Sequence, residues 1–309
     1  MRIATIDIGT NTVLLLVAEQ RDGELRAVEE LATITRLGQG VDRTGALASD
    51  AIARTTECLE RYAETAKRLG VTRTACVGTS AMRDARGGDV VRERVRDLFG
   101  VEASVVSGEE EARLTFVGSL TGLGVAPGEP VTVFDIGGGS TEIVRGTLDP
   151  RAAAGVHLAY ARSFDVGSVR MTERHVASDP PAPSEIAAID ADVRSALDAE
   201  RTLPTADEPV GIAGTMTTLA AVSLGLEPYD GARVHGHVMA VDELRAVVDD
   251  LASMSVDARR KVRGMEPKRA DVIVAGAVVV DEVAAWAGVA GLVVSDRGVR
   301  WGLALELLA

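Results

Sequence analysis

Two segments of the chain share the same pattern of apolar and polar residues. In the first, the mostly apolar residues 3–6 lead to Asp7, a short turn rich in Gly and Thr follows, and a second apolar run returns. In the second, residues 131–134 lead to Asp135, three consecutive glycines and two hydroxyl residues, before the chain returns at Glu142. Each segment predicts a β-hairpin with a tight turn. Because Asp135 follows Asp7 by 128 positions (135 − 7), we expect each hairpin to open a separate lobe.

The pattern between the two hairpins alternates between strand and helix. It predicts, in order, a strand near 25–35 after a turn at Asp22 and Gly23, a helix from a cap at Ser49 or Asp50 to 69, a strand at 74–78, a helix capped by Asp89 to 100, a strand at 102–106 and a helix from Ser107. This order of elements is typical of one α/β lobe.

The second half repeats this alternation after a stretch rich in Gly and Pro at residues 122–130. It predicts strands at 131–136, 141–147, 156–164, 210–213 and 292–295, a helix capped by Ser184, a helix opening at Gly214 and Thr215, helices at 243–251 and 256–263, and a terminal helix at 299–308. Residues 270–287 fit either a buried helix or two strands. We therefore expect lobe I to comprise residues 1–124 with the C-terminal helix 299–309, and lobe II residues 125–298.

The net charge of the chain limits the kinds of molecule that it is expected to bind. The 309 residues carry a formal net charge of −13 and a pI near 4.9, which opposes binding to nucleic acid or an anionic membrane. An anionic substrate would have to be held by local arginines, helix N-termini and a metal ion. The two cysteines, Cys58 and Cys76, lie in apolar segments and predict buried reduced thiols, so we expect a cytoplasmic location. The sequence shows no signal-peptide pattern and no apolar run of membrane-spanning length, so we expect neither a signal peptide nor a transmembrane helix.

The two turns are candidate phosphate sites. Glycine lets backbone N–H groups converge on an anion, and an aspartate at a strand end can hold a hydrated divalent cation. Glu142 on the second return strand is a further candidate for the cation or an ordered water. A tight hairpin without a ligand is the alternative. The candidate phosphate-binding residues are Gly9, Thr10, Asn11, Thr12, Gly137, Gly138, Gly139, Ser140 and Thr141, and the candidate metal ligands are Asp7, Asp135 and Glu142.

Other segments offer weaker signals. Arg83 follows a strand end and points to an α/β crevice, unless it is a solvated surface residue. Gly214 and Thr215 open a helix N-terminus that suits an anion, or Thr215 simply caps it. Arg269 offers a peripheral phosphate contact. The acidic residues 109–111 complement a helix dipole, or one of them serves as a general base. We interpret His235 and His237 as structural because no Cys or carboxylate stands at ligand spacing.

Taken together, the motifs resemble the exopolyphosphatase/guanosine pentaphosphate phosphohydrolase (Ppx/GppA) family, a branch of the actin-like, sugar-kinase and chaperone superfamily. The matching segments follow one another along nearly the whole chain: 7–12, 79–85, 107–116, 135–142, 167–173, 211–220, 269–276 and 295–303. Thr10, Thr12 and Met82 replace the more usual Ser, Ser and Leu, and none of them removes a catalytic group. The chain resembles the short, two-domain members.

The resemblance implies an α/β fold of two ribonuclease-H-like lobes flanking a cleft. It implies that Glu111 is the catalytic glutamate, that Arg83 binds phosphate, and that Asp135 and Glu142 are linked to Mg²⁺, with Mn²⁺ as a substitute. The expected activity is hydrolysis of terminal phosphates of inorganic polyphosphate. Short chains are expected to be favoured because the net charge opposes capture of a long polyanion. Guanosine pentaphosphate is the rival substrate, and a homodimer is an open alternative.

Two other classes stay open. An actin-like ATP-binding kinase or chaperone shares both phosphate turns but lacks the segment at residues 107–113 and needs an adenosine pocket. A non-enzymatic polyphosphate or nucleotide sensor would keep the turns and lose Glu111 or Arg83. The presence of both residues favours the hydrolase.

Overall fold

A computed structural model describes residues 1–22, 24–78, 80–152, 155–198, 200 and 209–308. Gly23, of the turn predicted after Asp22, and Thr79, of the segment 79–85 that contains Arg83, lie outside the described residues.

The chain divides into two compact units. Unit 1 comprises Met1–Gly118 with Gly298–Ala309, and unit 2 comprises Ser119–Arg297. The sequence predicts the same two-part division, with boundaries at 124/125 and 298/299. The structural boundary lies earlier because the carbonyl oxygens of Ser119 and Thr121 accept hydrogen bonds from Ser295 Oγ and Arg297 Nη1, both at 2.8 Å. These bonds tie the residues after 118 to unit 2.

Unit 1 is a mixed sheet with helices. Its strands are β1 (Arg2–Ile8), β2 (Thr12–Arg21), β3 (Glu24–Ile34), β4 (Arg73–Gly78) and β5 (Ala103–Val105). Its helices are α1 (Val41–Thr44), α2 (Ser49–Arg68), α3 (Ser80–Asp84), α4 (Gly88–Phe99), α5 (Gly108–Leu120) and the terminal helix Val299–Leu308. The last two residues of α5 belong to unit 2. The strand order is β3-β2-β1-β4-β5, with β1–β2 and β2–β3 antiparallel and β1–β4 and β4–β5 parallel.

Unit 2 is built on a six-stranded sheet. Its strands are β6 (Pro130–Ile136), β7 (Thr141–Leu148), β8 (Val156–Phe164), β9 (Val210–Ile212), β10 (Val238–Ala240) and β11 (Gly291–Val294). Its helices are α6 (Ser168–His175), α7 (Pro183–Asp198), α8 (Ala213–Ser223), α9 (Gly231–Val234), α10 (Val241–Ala252), α11 (Val256–Arg259) and α12 (Ile273–Ala287), with a 3₁₀ turn at Pro267–Arg269. The terminal helix of unit 1 is therefore α13.

Both sheets share one topology. The order β8-β7-β6-β9-β11 in unit 2 matches β3-β2-β1-β4-β5 in unit 1, and unit 2 adds β10 at its edge. In each unit three antiparallel strands joined by short turns are followed by parallel strands that need helical crossovers. The expectation of an α/β protein with two ribonuclease-H-like lobes is confirmed.

The cores are aliphatic. In unit 1, Leu15, Leu59 and Val95 are fully buried in the main cluster. Helix α13 covers the opposite side of β1 and β2, where Trp301 packs in one cluster with Ile3 and Leu16. This packing assigns the terminal helix to unit 1.

Residues 273–287 form a helix, which resolves the ambiguity between helix and strands. The hydrophobic periodicity of this segment is ambiguous because α12 is buried on nearly all sides in the core of unit 2 and therefore lacks a polar face. In the described part of the chain, no helix is long and apolar enough to cross a membrane.

Three predicted helix caps are wrong. The N-cap of α2 is Ala48 and that of α4 is Gly87, while Ser184 lies inside α7, which begins at Pro183. Asp50 and Asp89 instead lie in the first turns of α2 and α4, where they pair with Arg54 and Arg92. Residues that favour caps also complement the helix dipole one position later, so their pattern alone does not distinguish the two.

Candidate functional site

The first predicted turn closes the β1–β2 hairpin of unit 1. The Gly9 amide donates to Thr12 O at 3.1 Å, with Thr10 and Asn11 at the tip. This hydrogen bond joins the two ends of the short hairpin connection expected from the sequence. Asn11 is buried although it is polar and lies in a turn. The turn is therefore packed into its unit and does not project as an ordinary surface loop.

Asp7, at the end of β1, is a buried carboxylate. Its side-chain atom Oδ1 is buried without a hydrogen-bond partner among the described residues. Burial raises the pKa of Asp7 from 3.8 to about 7, and the positive charge of Arg300 lowers the pKa by a smaller amount. Such a group is costly to ionise in the absence of a cation.

Arg83 and Glu111 form an ion pair inside unit 1. Arg83 Nη1 donates to Glu111 Oε2 at 3.1 Å, and the glutamate is 9% exposed. Arg83 follows β4, Glu111 follows β5, and Asp7 ends β1. Because β1, β4 and β5 are adjacent and parallel, the three side chains lie beyond the same edge of one sheet. This edge is where α/β proteins bind ligands.

The three consecutive glutamates of α5 have different environments. Glu109 is exposed. Glu110 pairs with Arg113, which lowers the pKa of Glu110, and its amide donates to Ser107 Oγ at 3.2 Å. Both observations fit the dipole and capping interpretation. Glu111 differs because it is buried against Arg83.

The second predicted turn closes the β6–β7 hairpin of unit 2. The Gly137 amide donates to Ser140 O at 3.0 Å, as Gly9 does to Thr12 in unit 1. A Cβ at Gly137 would lie 3.0 Å from Ser140 O. This close approach of the backbone favours glycine at the position.

Asp135 and Glu142 face each other across this hairpin. They are directly paired in the β6–β7 register, so their side chains lie on the same face of the sheet. Glu142 is 7% exposed, and its Oε1 accepts a hydrogen bond from Ser163 Oγ at 2.7 Å. A pair of carboxylates held in this way can bind a cation or order a water molecule.

The remaining unit 2 candidates also come together. Gly214 lies in the first turn of α8, and a Cβ there would overlap the guanidinium of Arg269. Burial lowers the pKa of Arg269. Thr215 is buried beside Gly276 of α12. The arginine thus lies directly over the N-terminus of α8, which the sequence treated as a separate and weaker signal.

Sequence reasoning gave no specific role to Gly167 and Ser168, which the structure places against the second turn. The Ser168 amide donates to Gly137 O at 3.0 Å, and Gly276 lies close to both Ser168 and Thr215. The available signal was a Gly-Ser pair between a strand and a helix, which is ambiguous by itself.

His235 fits the structural interpretation. Its Nδ1 accepts a hydrogen bond from the Asp296 amide at 3.4 Å and lies 3.3 Å from Ser295 Oγ. Among the described residues, no group of three or more His, Cys, Asp or Glu side chains is placed to hold a metal ion. A hard cation bound by one or two of these carboxylates would need water or phosphate oxygens to complete its coordination.

The repeated sheet and the paired hairpin turns define a two-unit α/β protein of the actin-like ATPase fold. The chain belongs to the Ppx/GppA phosphatase family, whose model matches residues 16–309. It is 41% identical to exopolyphosphatase 2 of Mycobacterium tuberculosis, over 99% of this chain and 98% of that protein. The predicted family and the expectation of a phosphatase are confirmed.

Two solved structures agree with this assignment. The crystal structure of an exopolyphosphatase-like protein has a TM-score of 0.89 and 33% identity, covering 100% of this chain and 99% of that one. The Ppx/GppA family member of Aquifex aeolicus has a TM-score of 0.80 and 32% identity, covering 100% and 97%.

Proposed function

We propose that this protein is an exopolyphosphatase that removes terminal phosphates from inorganic polyphosphate with the help of Mg²⁺. The observation that carries the proposal is the buried Glu111 paired with Arg83 at the strand edge that also holds Asp7. A kinase or chaperone of this superfamily would lack the segment at residues 107–113, which carries Glu111. A hydrolase needs a base for water and a cation for phosphate, and these two residues supply both.

Glu111 is the proposed general base. It takes a proton from a water molecule while the water oxygen attacks the terminal phosphorus in line. The bond from that phosphorus to the bridging oxygen breaks, releasing orthophosphate and a chain shorter by one unit. Arg83 balances the charge on the phosphate oxygens. Such reactions depend mainly on positioning and charge neutralisation.

The other proposed phosphate-binding residues are those of the first turn in unit 1 and, in unit 2, those of the second turn with Thr141, Gly214, Thr215 and Arg269. The candidate Mg²⁺ ligands are Asp7 in unit 1 and, separately, the pair Asp135 and Glu142 in unit 2. The unpartnered Oδ1 of Asp7 supports the candidate in unit 1. When bound, Mg²⁺ neutralises phosphate charge. Because the described residues form no cage of three ligands, most of the ion's coordination would come from water and substrate, as is usual for magnesium.

We propose that short chains are better substrates than very long ones. A net charge of −13 disfavours long-range attraction of a polyanion, so local contacts with the terminal units must supply the affinity. Guanosine pentaphosphate is the second candidate because it presents the same terminal phosphoanhydride. A relative from Vibrio atlanticus, 26% identical over 99% of this chain, is named guanosine-5'-triphosphate,3'-diphosphate pyrophosphatase.

Phosphate release by the purified protein tests these proposals. Triphosphate, a mid-length polyphosphate, a chain of hundreds of units, guanosine pentaphosphate and ATP are compared at equal Mg²⁺. We expect the highest kcat/KM on short polyphosphates and no release with EDTA. The highest kcat/KM on ATP would favour the kinase or chaperone class, and the highest value on guanosine pentaphosphate would favour the second candidate. Activity that survives EDTA would contradict the role of Mg²⁺.

A further inference from the structure

The carbonyl oxygens of the second turn are held from one side. Helix α6 begins beside the turn, and its first amides donate to turn carbonyls: Ser168 to Gly137 O at 3.0 Å, and Val169 and Arg170 to Gly138 O at 2.9 and 3.1 Å. The side chain of Arg170 completes the set, because its Nε donates to Gly139 O at 2.6 Å. Three successive carbonyls therefore point towards α6.

This arrangement sets the direction of the turn amides. In a planar trans peptide the C=O of one residue and the N–H of the next point in opposite directions. The N–H groups of Gly138 and Gly139 therefore point away from α6, as does that of Ser140, whose peptide carbonyl is bound by Arg170. Amides aimed in one direction are what an anion site requires.

The contact leaves no room for side chains at the junction. A Cβ on Gly167 would lie 2.6 Å from Gly138 O and 2.7 Å from the Ser140 amide nitrogen. The turn and the start of α6 are thus packed backbone against backbone.

Unit 1 uses the same construction with backbone donors. The Gly38 amide donates to Thr10 O at 2.8 Å, and the amides of Thr35 and Arg36 donate to Asn11 O at 3.1 and 3.0 Å. In both units the donors come from the segment that follows the third strand. In unit 2 a guanidinium also binds a turn carbonyl, and this arginine, Arg170, pairs with the exposed Asp165.

We propose that Arg170 is a positioning residue that orients the Gly-rich turn at residues 137–140 for oligophosphate binding. The proposal rests on the proposed function for the identity of the ligand. Arg170 acts through the carbonyl side of the turn and does not itself touch phosphate.

Arg170→Met keeps the length of the stem but removes the donor and the charge. The probe is a methylene-bridged triphosphate analogue, which cannot be cleaved, titrated calorimetrically with Mg²⁺ present. Loss of a charge-assisted hydrogen bond predicts a Kd about 10- to 100-fold weaker. Triphosphate hydrolysis should show a similar rise in KM with a smaller change in kcat, because the turn holds the phosphate in both ground and transition states.

Arg174→Met is the matched control. Arg174 lies one turn further along α6 and pairs with Asp192 on α7, so we expect its Kd to match that of the wild type. Arg170→Lys restores a donor and should recover part of the affinity. If Arg170→Met does not fold, the Kd of Arg170→Lys relative to wild type decides, with a several-fold weakening expected.

Unchanged affinity in Arg170→Met, an equal loss in Arg174→Met, or no recovery with lysine would overturn the positioning role. A wild-type protein that binds the analogue but releases no phosphate from polyphosphate would overturn the proposed activity, and the Kd comparison would still decide the role of Arg170. A wild-type protein that does not bind the analogue would overturn both.

Discussion

Replacing Asp7 with Asn should stabilise the metal-free protein at alkaline pH while lowering its activity. Asp7 is 9% exposed, its Oδ1 has no hydrogen-bond partner among the described residues, and burial raises its pKa to about 7. The pKa in the unfolded chain is near the ordinary value of 3.8. Folding therefore favours the protonated carboxyl, and ionisation of Asp7 works against the folded state.

The sign and size of the effect follow from proton linkage. Because the folded pKa is the higher one, the contribution of Asp7 is most favourable below the unfolded pKa and is lost as pH rises through the folded pKa. A shift from 3.8 to about 7 amounts to roughly 4 kcal/mol in total. About 2 kcal/mol of this falls between roughly pH 5.5 and pH 8.5, the accessible experimental range.

Urea unfolding with EDTA provides the assay. Trp301 lies in the core of unit 1, so a Trp286→Phe background leaves one tryptophan that reports unit 1. The free energy of unfolding of the Asp7→Asn protein, minus that of the Asp7 protein, should grow by about 2 kcal/mol from the lower to the higher pH. The pH dependence isolates the carboxyl, because any packing change caused by Asn is the same at both pH values.

A difference that does not change with pH would refute the reasoning, since Asp7 would then ionise with nearly its ordinary pKa in the folded state. Saturating Mg²⁺ should reduce the alkaline penalty of the Asp7 protein and leave the Asn variant unaffected. No response to Mg²⁺ would count against Asp7 as a ligand, without affecting the linkage argument.

Two further predictions concern unit 1. Glu111→Gln should lower kcat by about 10²- to 10⁴-fold while triphosphate still binds, whereas Glu109→Gln, which changes an exposed residue, should lower kcat only slightly. Phosphate-release kinetics of the two variants test this prediction, and a larger loss in Glu109→Gln would show that the base is misassigned. Gly302→Ala should destabilise unit 1 by about 1–3 kcal/mol, because a Cβ there would overlap Leu114 O. Gly108→Ala, where a Cβ meets no neighbour, is the control in the same urea assay, and equal losses would contradict the packing argument.

The sequence by itself determined the two hairpins, the alternation that follows each of them, and the family. These features depend on local rules: alternating strands, a four-residue turn, and glycine where the backbone must approach closely. The 128-residue repeat needed no structure, and Gly9 and Gly137 open equivalent turns in the two units. The helix caps at Ala48 and Gly87 were missed because capping and first-turn positions attract the same polar residues.

Only the tertiary structure decided which side chains within each unit meet. Among three consecutive glutamates, Glu111 alone is buried against Arg83, 28 residues away. Arg269 covers Gly214, and Arg170 binds the turn from behind. Spacing along the chain carries little information about such contacts, because strand order and helix packing bring distant residues together. The ambiguity at residues 273–287 has the same origin: a helix buried on nearly all sides loses the polar face by which sequence periodicity identifies it.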